Sequence, residues 1–150
     1  MQIVNEFDVP AAADAVFAFL LDPTRIASCV PGAQLGEVSS PDTFNGSAKI
    51  KVGAISITYR GTASITDRDE AARTATLEAK GREAGGPGTA TATIQMSVTG
   101  GPEGAHVRLE TDYRVTGRVA NFGRGVMEDV ARKLVGQTAG GIKEQLALAG

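Results

Sequence analysis

Over residues 34–118 the apolar side chains recur at every second position, and beyond Gly117 they recur at every third or fourth. No other feature limits the possible folds so sharply. Ile55, Ile57, Tyr59, Gly61, Ala63 and Ile65 alternate with Ser56, Thr58, Arg60, Thr62, Ser64 and Thr66. Ala90, Ala92, Ile94, Met96 and Val98 alternate with threonines, Gln95 and Ser97, and residues 105–116 repeat the pattern. Each such segment has one face for a core and one for water, the mark of an antiparallel meander. The interruptions are short and turn-like: Gly53-Ala54, residues 67–71, Gly85-Gly86-Pro87-Gly88 and residues 100–104. With the alternating stretch 2–8 added, about seven strands are expected, most of them joined as hairpins.

Helical segments flank the meander. Pro10 suits a helix entry, and Asp14 puts a negative charge near the helix N-terminus. Val16, Phe17, Phe19, Leu20 and Leu21 make this segment strongly apolar before Asp22-Pro23 stops it. Residues 24–29 fit one more short helical turn, closed by Pro31-Gly32. After Gly117, Val126, Val130, Leu134 and Thr138 form one row with Met127, Ala131, Val135 and Ala139 beside it, while Glu128, Asp129, Arg132 and Lys133 fall opposite. The last helix is therefore long and amphipathic. Gly136, Gly140 and Gly141 each weaken it by about 1 kcal/mol relative to alanine, so a bend or fraying is expected there. The order of elements predicts an α+β fold: a curved antiparallel sheet of about seven strands wrapped around a long C-terminal helix, with two short helices after the first strand. No repeat, charged tail or linker divides the chain, so residues 1–150 are expected to form a single domain.

Composition removes several classes of function. With 15 basic and 17 acidic residues the net charge is −2, which argues against nucleic acid as a partner. The lone Cys29 excludes an internal disulfide and fits a reducing compartment. One histidine and no metal-ligand spacing leave no basis for a zinc site. The longest apolar run, residues 16–21, is far short of the ~20 residues that span a bilayer. Residues 1–10 lack the basic stretch that precedes the apolar core of a secretory signal. A soluble cytoplasmic domain is expected.

The inward face of the meander is unusually small. Besides Ile, Leu, Met and Val it presents Ala48, Gly61, Ala63, Ala75, Ala79, Gly81, Ala90 and Ala92, and the chain has no Trp. Unfilled apolar volume costs about 24 cal/mol per Å3, so either the helix sits unusually close to the sheet or a ligand occupies the space between them. Strand parity and helical rows point Tyr59, Leu77, Met96, Tyr113, Val126, Met127, Val130 and Leu134 into that space. Tyr59, Tyr113 and Thr111 are the side chains there that can make polar contacts, and no carboxylate, His or Lys is placed inside to act as acid or base. His106 falls on the outward face, and Cys29 reads as a packed small thiol. A quiet apolar interior favours carrying a ligand over transforming it.

The stretch before the last helix, Arg118-Val119-Ala120-Asn121-Phe122-Gly123-Arg124-Gly125, sets an aromatic between glycines and arginines. It reads either as a helix-entry loop with Phe122 tucked into the core or as a gate. In the second reading Phe122 is the lid and part of the ligand site, Gly123 and Gly125 are hinges, and Arg118 and Arg124 form a positive rim suited to an anionic membrane surface.

Two stretches together resemble the CoxG family of carbon monoxide dehydrogenase subunits: Asp22-Pro23-Thr24-Arg25-Ile26-Ala27-Ser28-Cys29-Val30-Pro31-Gly32 and Gly117-Arg118-Val119-Ala120-Asn121-Phe122-Gly123-Arg124-Gly125. The resemblance covers essentially the whole chain. It implies a START-like, polyketide cyclase-like domain with a helix-grip fold, matching the order read from periodicity. It also implies a non-catalytic accessory of a molybdenum-containing carbon monoxide dehydrogenase or related molybdenum hydroxylase. Such a protein is expected to lie at the inner face of the cell membrane and to handle a respiratory quinone, menaquinone-like, with no covalent cofactor. One departure stands out: the family tends to place a bulky aromatic near the middle of the last helix, where this chain has Thr138-Ala139-Gly140-Gly141. Three functions compete at this point: a carrier of an apolar ligand, a membrane-recruitment or assembly factor without a cargo, and a cyclase- or hydrolase-like enzyme.

Overall fold

The structure, a computed structural model, describes residues 2–40 and 42–149, without the side chains of residues 148 and 149. Its elements are β1 (Gln2–Val9), α1 (Ala13–Leu20), α2 (Pro23–Ala27), β2 (Ala33–Ser40), β3 (Thr43–Val52), β4 (Ile55–Asp69), β5 (Thr74–Glu83), β6 (Thr89–Gly100), β7 (Ala105–Val115), a 3-10 turn (Arg118–Asn121) and α3 (Arg124–Ala149). The strands form one antiparallel sheet in the order β1-β7-β6-β5-β4-β3-β2. The expected meander thus runs from β2 to β7, and β1 closes onto β7 with Phe7 opposite Val107.

Gly46 stands opposite Gly61, and Gly61 opposite Gly81, so three neighbouring strands meet through glycine at one level. A Cβ on Gly61 would lie 1.8 Å from the Lys80 carbonyl oxygen, so the close approach of β4 and β5 there requires glycine at residue 61.

The short helices are fixed by caps at their ends. Asp22, read as the stop of α1, is also the N-cap of α2: its carboxylate accepts from the Thr24 and Arg25 backbone N–H groups at 3.1 and 3.3 Å, with Pro23 in the first helical position. At α1, the Ala13 N–H donates to the carbonyl of Gly101 in the β6–β7 turn. Arg73, the one non-glycine described residue with positive φ, reaches from the β4–β5 turn to Asp14 and to the carbonyls of Val98 and Gly100.

The glycines of α3 do not fray it; the helix is continuous from Arg124 to Ala149, contrary to expectation. The reason is visible at Gly141, where an added Cβ would sit 3.0 Å from Cβ and 3.1 Å from Sγ of Cys29. Glycine lets the helix lie against buried Cys29 in the loop after α2. Neighbouring contacts hold that turn together: Ile142 is fully buried, and Gln145 donates to the Ser28 hydroxyl at 2.7 Å.

The apolar interior is divided. One core joins α1, β6, β7 and the C-terminal half of α3 through Val16, Phe19, Val98, Val107 and Ile142. A smaller one joins Val52, Ile57, Tyr59 and Val119 at the opposite end, with Phe122, Met127 and Val130 packed against it. Helix α3 lies along β1 and touches β3, and stays clear of the middle strands over most of its length.

Candidate ligand-binding site

Between the two cores the concave face of the sheet is covered but not sealed. Gly61, Ala63 and Ile65 of β4, Leu77, Ala79 and Gly81 of β5, and Ala90, Ala92 and Ile94 of β6 are all half-buried, none fully. Across from them, Met127, Val130 and Leu134 of α3 are half-buried as well. Well-packed interiors leave few voids wider than a water molecule, yet here a file of apolar residues faces another and both remain accessible. The small side chains cause this, because a helix held at both ends of the groove cannot descend onto alanine and glycine in its middle.

Tyr59 is 8% exposed at the end of this hollow formed by the smaller core, and its hydroxyl is a buried side-chain polar atom with no hydrogen-bond partner among the described residues. Burial raises its pKa, the nearby Glu83 charge raises it further, and Arg118 lowers it. The phenol therefore stays protonated at neutral pH and is available as a donor. Tyr113 is equally buried, beneath the first turn of α3; burial raises its pKa, with Arg124 opposing and Glu128 adding to the shift.

Glu83 corrects the expectation that the inner rows hold no carboxylate. Its side chain is 4% exposed, and the Arg118 Nε and Nη2 donate to its Oε1 at 3.1 and 2.6 Å. Parity on β5 contained the signal, since Ala75, Leu77, Ala79, Gly81 and Glu83 are one inward row. The glycine breaker that begins two residues later, at Gly85, masks the end of that row. Glycine also makes the room: a Cβ on Gly88 would approach Glu83 Oε2 to 2.5 Å. A cleft of about 490 Å3 opens beside the pair, walled by Gly85, Gly86, Pro87, Gly117 and Asn121.

The segment from Gly117 to Gly125 combines features of both readings made for it. Val119 is buried and Phe122 is half-buried against the smaller core, with Gly53 beneath its ring. Gly123 is exposed with free space around its Cα, whereas Gly125 lies inside α3, so only the first can serve as a joint. Gly117 is the other distinctive glycine: its φ is 87° and a Cβ there would lie 2.8 Å from the Gly88 Cα, so the position suits glycine alone. The arginines are not a free positive rim. Arg118 is held by Glu83, and Arg124 by Glu128 at 2.8 Å and the Gln2 carbonyl at 3.3 Å.

The remaining expected lining residues separate. Met127, Val130 and Leu134 face the sheet. Leu77 belongs to the hollow's wall but also packs on the larger core, and Met96, 8% exposed, lies within that core beside Ala75 and Val98. Val126 is 39% exposed and lies outside the packed row, although its neighbour Met127 packs on the smaller core. His106 is on the outer face as parity requires, bracketed by Asp8 at 2.8 Å and Glu6 at 2.9 Å. Cys29 is buried and within 3.4 Å of the Gln145 amide.

Comparison with known proteins places this geometry in a family. Residues 6–147 match the family model of CoxG, a carbon monoxide dehydrogenase subunit. No curated protein matches the chain in sequence. Among solved structures, a conserved protein from Geobacillus kaustophilus is similar with a TM-score of 0.86 at 22% identity, covering 99% of this chain and 97% of that one. A START superfamily protein from Mycobacterium smegmatis has a TM-score of 0.67 at 10% identity, covering 99% of both chains. Norcoclaurine synthase from Thalictrum flavum has a TM-score of 0.64 at 16% identity, covering 98% of this chain and 86% of that one. At such identities these structures establish the fold, which is START-like and helix-grip, and nothing of the chemistry.

Proposed function

The chain belongs to the CoxG family of carbon monoxide dehydrogenase subunits, and from that premise we propose that it is a non-catalytic carrier of an apolar ligand, a respiratory quinone of the menaquinone type. In this reading it takes the quinone from the inner face of the cell membrane and presents it to a molybdenum-containing carbon monoxide dehydrogenase, which reduces it. The observation that carries the reading is the accessible hollow of small aliphatic residues ending at the unpartnered Tyr59 hydroxyl. An apolar tail fits the first, and a quinone carbonyl is the acceptor that the second lacks. Each CH2 of an isoprenoid tail exposed to water costs about 0.8 kcal/mol, so a water-soluble dehydrogenase cannot draw the quinone out of a bilayer unaided.

The residues divide the work by position. Ala63, Leu77 and Ala79 on the sheet and Met127, Val130 and Leu134 on α3 bound the tail, with flexible methionine adapting to its shape. Tyr59 donates to the head group. Phe122, turning about Gly117 and Gly123, covers the entrance, and the Glu83–Arg118 pair sets its closed position. No helix among the described residues is long and apolar enough to cross a membrane, and in this scheme contact with the bilayer is peripheral.

Reconstitution tests the reading directly: liposomes holding menaquinone, the dehydrogenase with carbon monoxide, and this protein added or withheld. Quinone reduction should depend on the protein and be lost in a folded Ala63→Trp variant, whose indole fills the hollow. Equal rates without the protein, or with the filled variant, would show that no cargo is carried and that the protein acts by recruitment alone.

A further inference from the structure

The convex side of the sheet, opposite the hollow, is divided by charge. Lys49 and Lys51 on β3, Arg60 on β4, Lys80 and Arg82 on β5, and Arg114 on β7 all point outward and are exposed. Strand register assembles them into one field: Arg60 stands directly opposite Arg82, and Lys80 lies one row away in line with Thr91 and Arg114. None of the six has an ion-pair partner among the described residues. The next two rows reverse the sign, with Glu78 aligned with Asp112 and Asp67 aligned with Glu110.

Like charges directly opposite one another on a sheet are destabilising, and here they stand in a chain whose net charge is −2. An arrangement that only kept the face soluble would interleave the signs. With strands about 4.8 Å apart and outward residues about 6.7 Å apart along each, the field spans roughly 20 by 20 Å, about half of one side of a standard protein interface.

We propose that this basic field is the docking surface for an acidic patch on a partner protein, and, resting on the carrier reading, that this partner is the dehydrogenase. A protein fits better than a bilayer for two reasons on the same face. Exposed Glu78 and Asp67 in the adjoining rows would repel a uniformly anionic lipid surface, whereas a protein can complement both signs. The field also exposes hydroxyls such as Thr62 and Thr91, and the exposed large hydrophobic residues, Val4, Val38 and Val126, all lie outside it. Position supports the assignment as well. Arg60 and Arg82 are the chain neighbours of inward-facing Tyr59 and Glu83, so docking here brings the gate end of the hollow alongside the partner.

Binding of the full chain to the purified dehydrogenase, measured at 50 and 300 mM NaCl, tests this. The wild type is compared with Arg60→Glu/Arg82→Glu and with Lys133→Glu/Lys143→Glu, which makes the same charge change on exposed positions of α3. The wild-type affinity should fall about tenfold or more with salt, and the strand variant should lose about thirtyfold at low salt while the helix variant loses less than about threefold. Uptake of menaquinone by both variants should match the wild type. Equal losses in both variants, or in neither, overturn the docking surface while intact uptake leaves the carrier reading standing; absent uptake in the wild type removes the carrier reading instead. Loss of binding to phosphatidylglycerol vesicles with dehydrogenase binding unchanged would assign the face to the membrane and also overturn the proposal. Conversion of a dimer to a monomer with no other effect would assign it to a second copy of the chain, with the same consequence.

Discussion

At the α1 end of the groove, Val9, Val16, Phe19, Val98, Val107 and Ile142 are sealed to 1% exposure or less, and the core they form is wholly apolar. At the gate end, Val52 and Ile57 are sealed too, but they share the space with a tyrosine hydroxyl that has no partner and a carboxylate bound to arginine. Both ends hold the same helix over the same sheet. The difference is that one end uses dispersion and burial alone, while the other rests on polar groups that carry a penalty whenever they are unpaired. An end of the first kind is suited to staying shut. In the carrier reading proposed above the second kind is the end that opens, since one of its polar groups is unsatisfied and its latch is a single ion pair.

The largest expected effect tests the sealed end. Phe19→Ala removes a fully buried ring from the larger core and should cost about 3–5 kcal/mol of stability by denaturant titration, with the loss falling on the whole domain. A loss under about 1 kcal/mol would mean that the α1 end does not anchor the helix.

Next in size is the latch. Arg118→Met leaves Glu83, 4% exposed, without its partner, while Arg118 itself is 57% exposed and already screened by water. The expected cost is about 2 kcal/mol, below that of breaking a fully buried pair. Adding Glu83→Gln to Arg118→Met should recover most of it, because the uncompensated charge is then gone. Additive losses in the double variant would show that the two side chains act independently and that no latch exists.

How much of this contrast is legible in the sequence depends on the range of the interaction. Alternation is a local property, so the strands, their turns and the inward rows can be read directly, down to the small residues that line the hollow. The Asp22-Pro23 break and the long helix after Gly117 are legible for the same reason. What escapes is pairing at a distance. Arg118 reads as a free rim because its partner lies 35 positions away. Gly141 reads as a weak point in α3 because Cys29, the group it makes room for, is far off in sequence. Val126 is misplaced because a helical row gives the direction of a side chain and not whether another element packs against it.

A subtler test separates stability from function within the gate end. Tyr59→Phe deletes the unpartnered hydroxyl and should leave stability unchanged or raise it by up to about 1 kcal/mol, since nothing in the closed state bonds to it. The same substitution should weaken menaquinone binding by about 0.5–1.5 kcal/mol, the net worth of one neutral hydrogen bond. If both quantities fall together, the hydroxyl has a structural partner and the two ends of the groove differ less in kind.

The smallest effect lies at the α1 end, on its outer face. His106 of β7 is bracketed by Glu6 and Asp8 of β1, whose hydrogen bonds raise its pKa above 6.5. A group whose pKa is raised by folding contributes stability that is fully present below its unfolded value of about 6.5 and fades as pH climbs through the raised folded value. The His106→Gln variant should therefore melt below the wild type at pH 5.5, and the two curves should converge in mildly alkaline buffer. The site is open to water, so the gap should be small and should shrink further in 0.5 M salt. A gap that is constant across this range, or that widens as pH rises, would mean that the two carboxylates do not clamp a charged imidazole. The β1–β7 edge would then owe its hold to backbone pairing and to Phe7 and Val107 beneath it. Either result bears on why this end stays shut: a proton-dependent clamp would make it weaken selectively above neutral pH, while the gate end, whose groups carry no comparable histidine, would not follow.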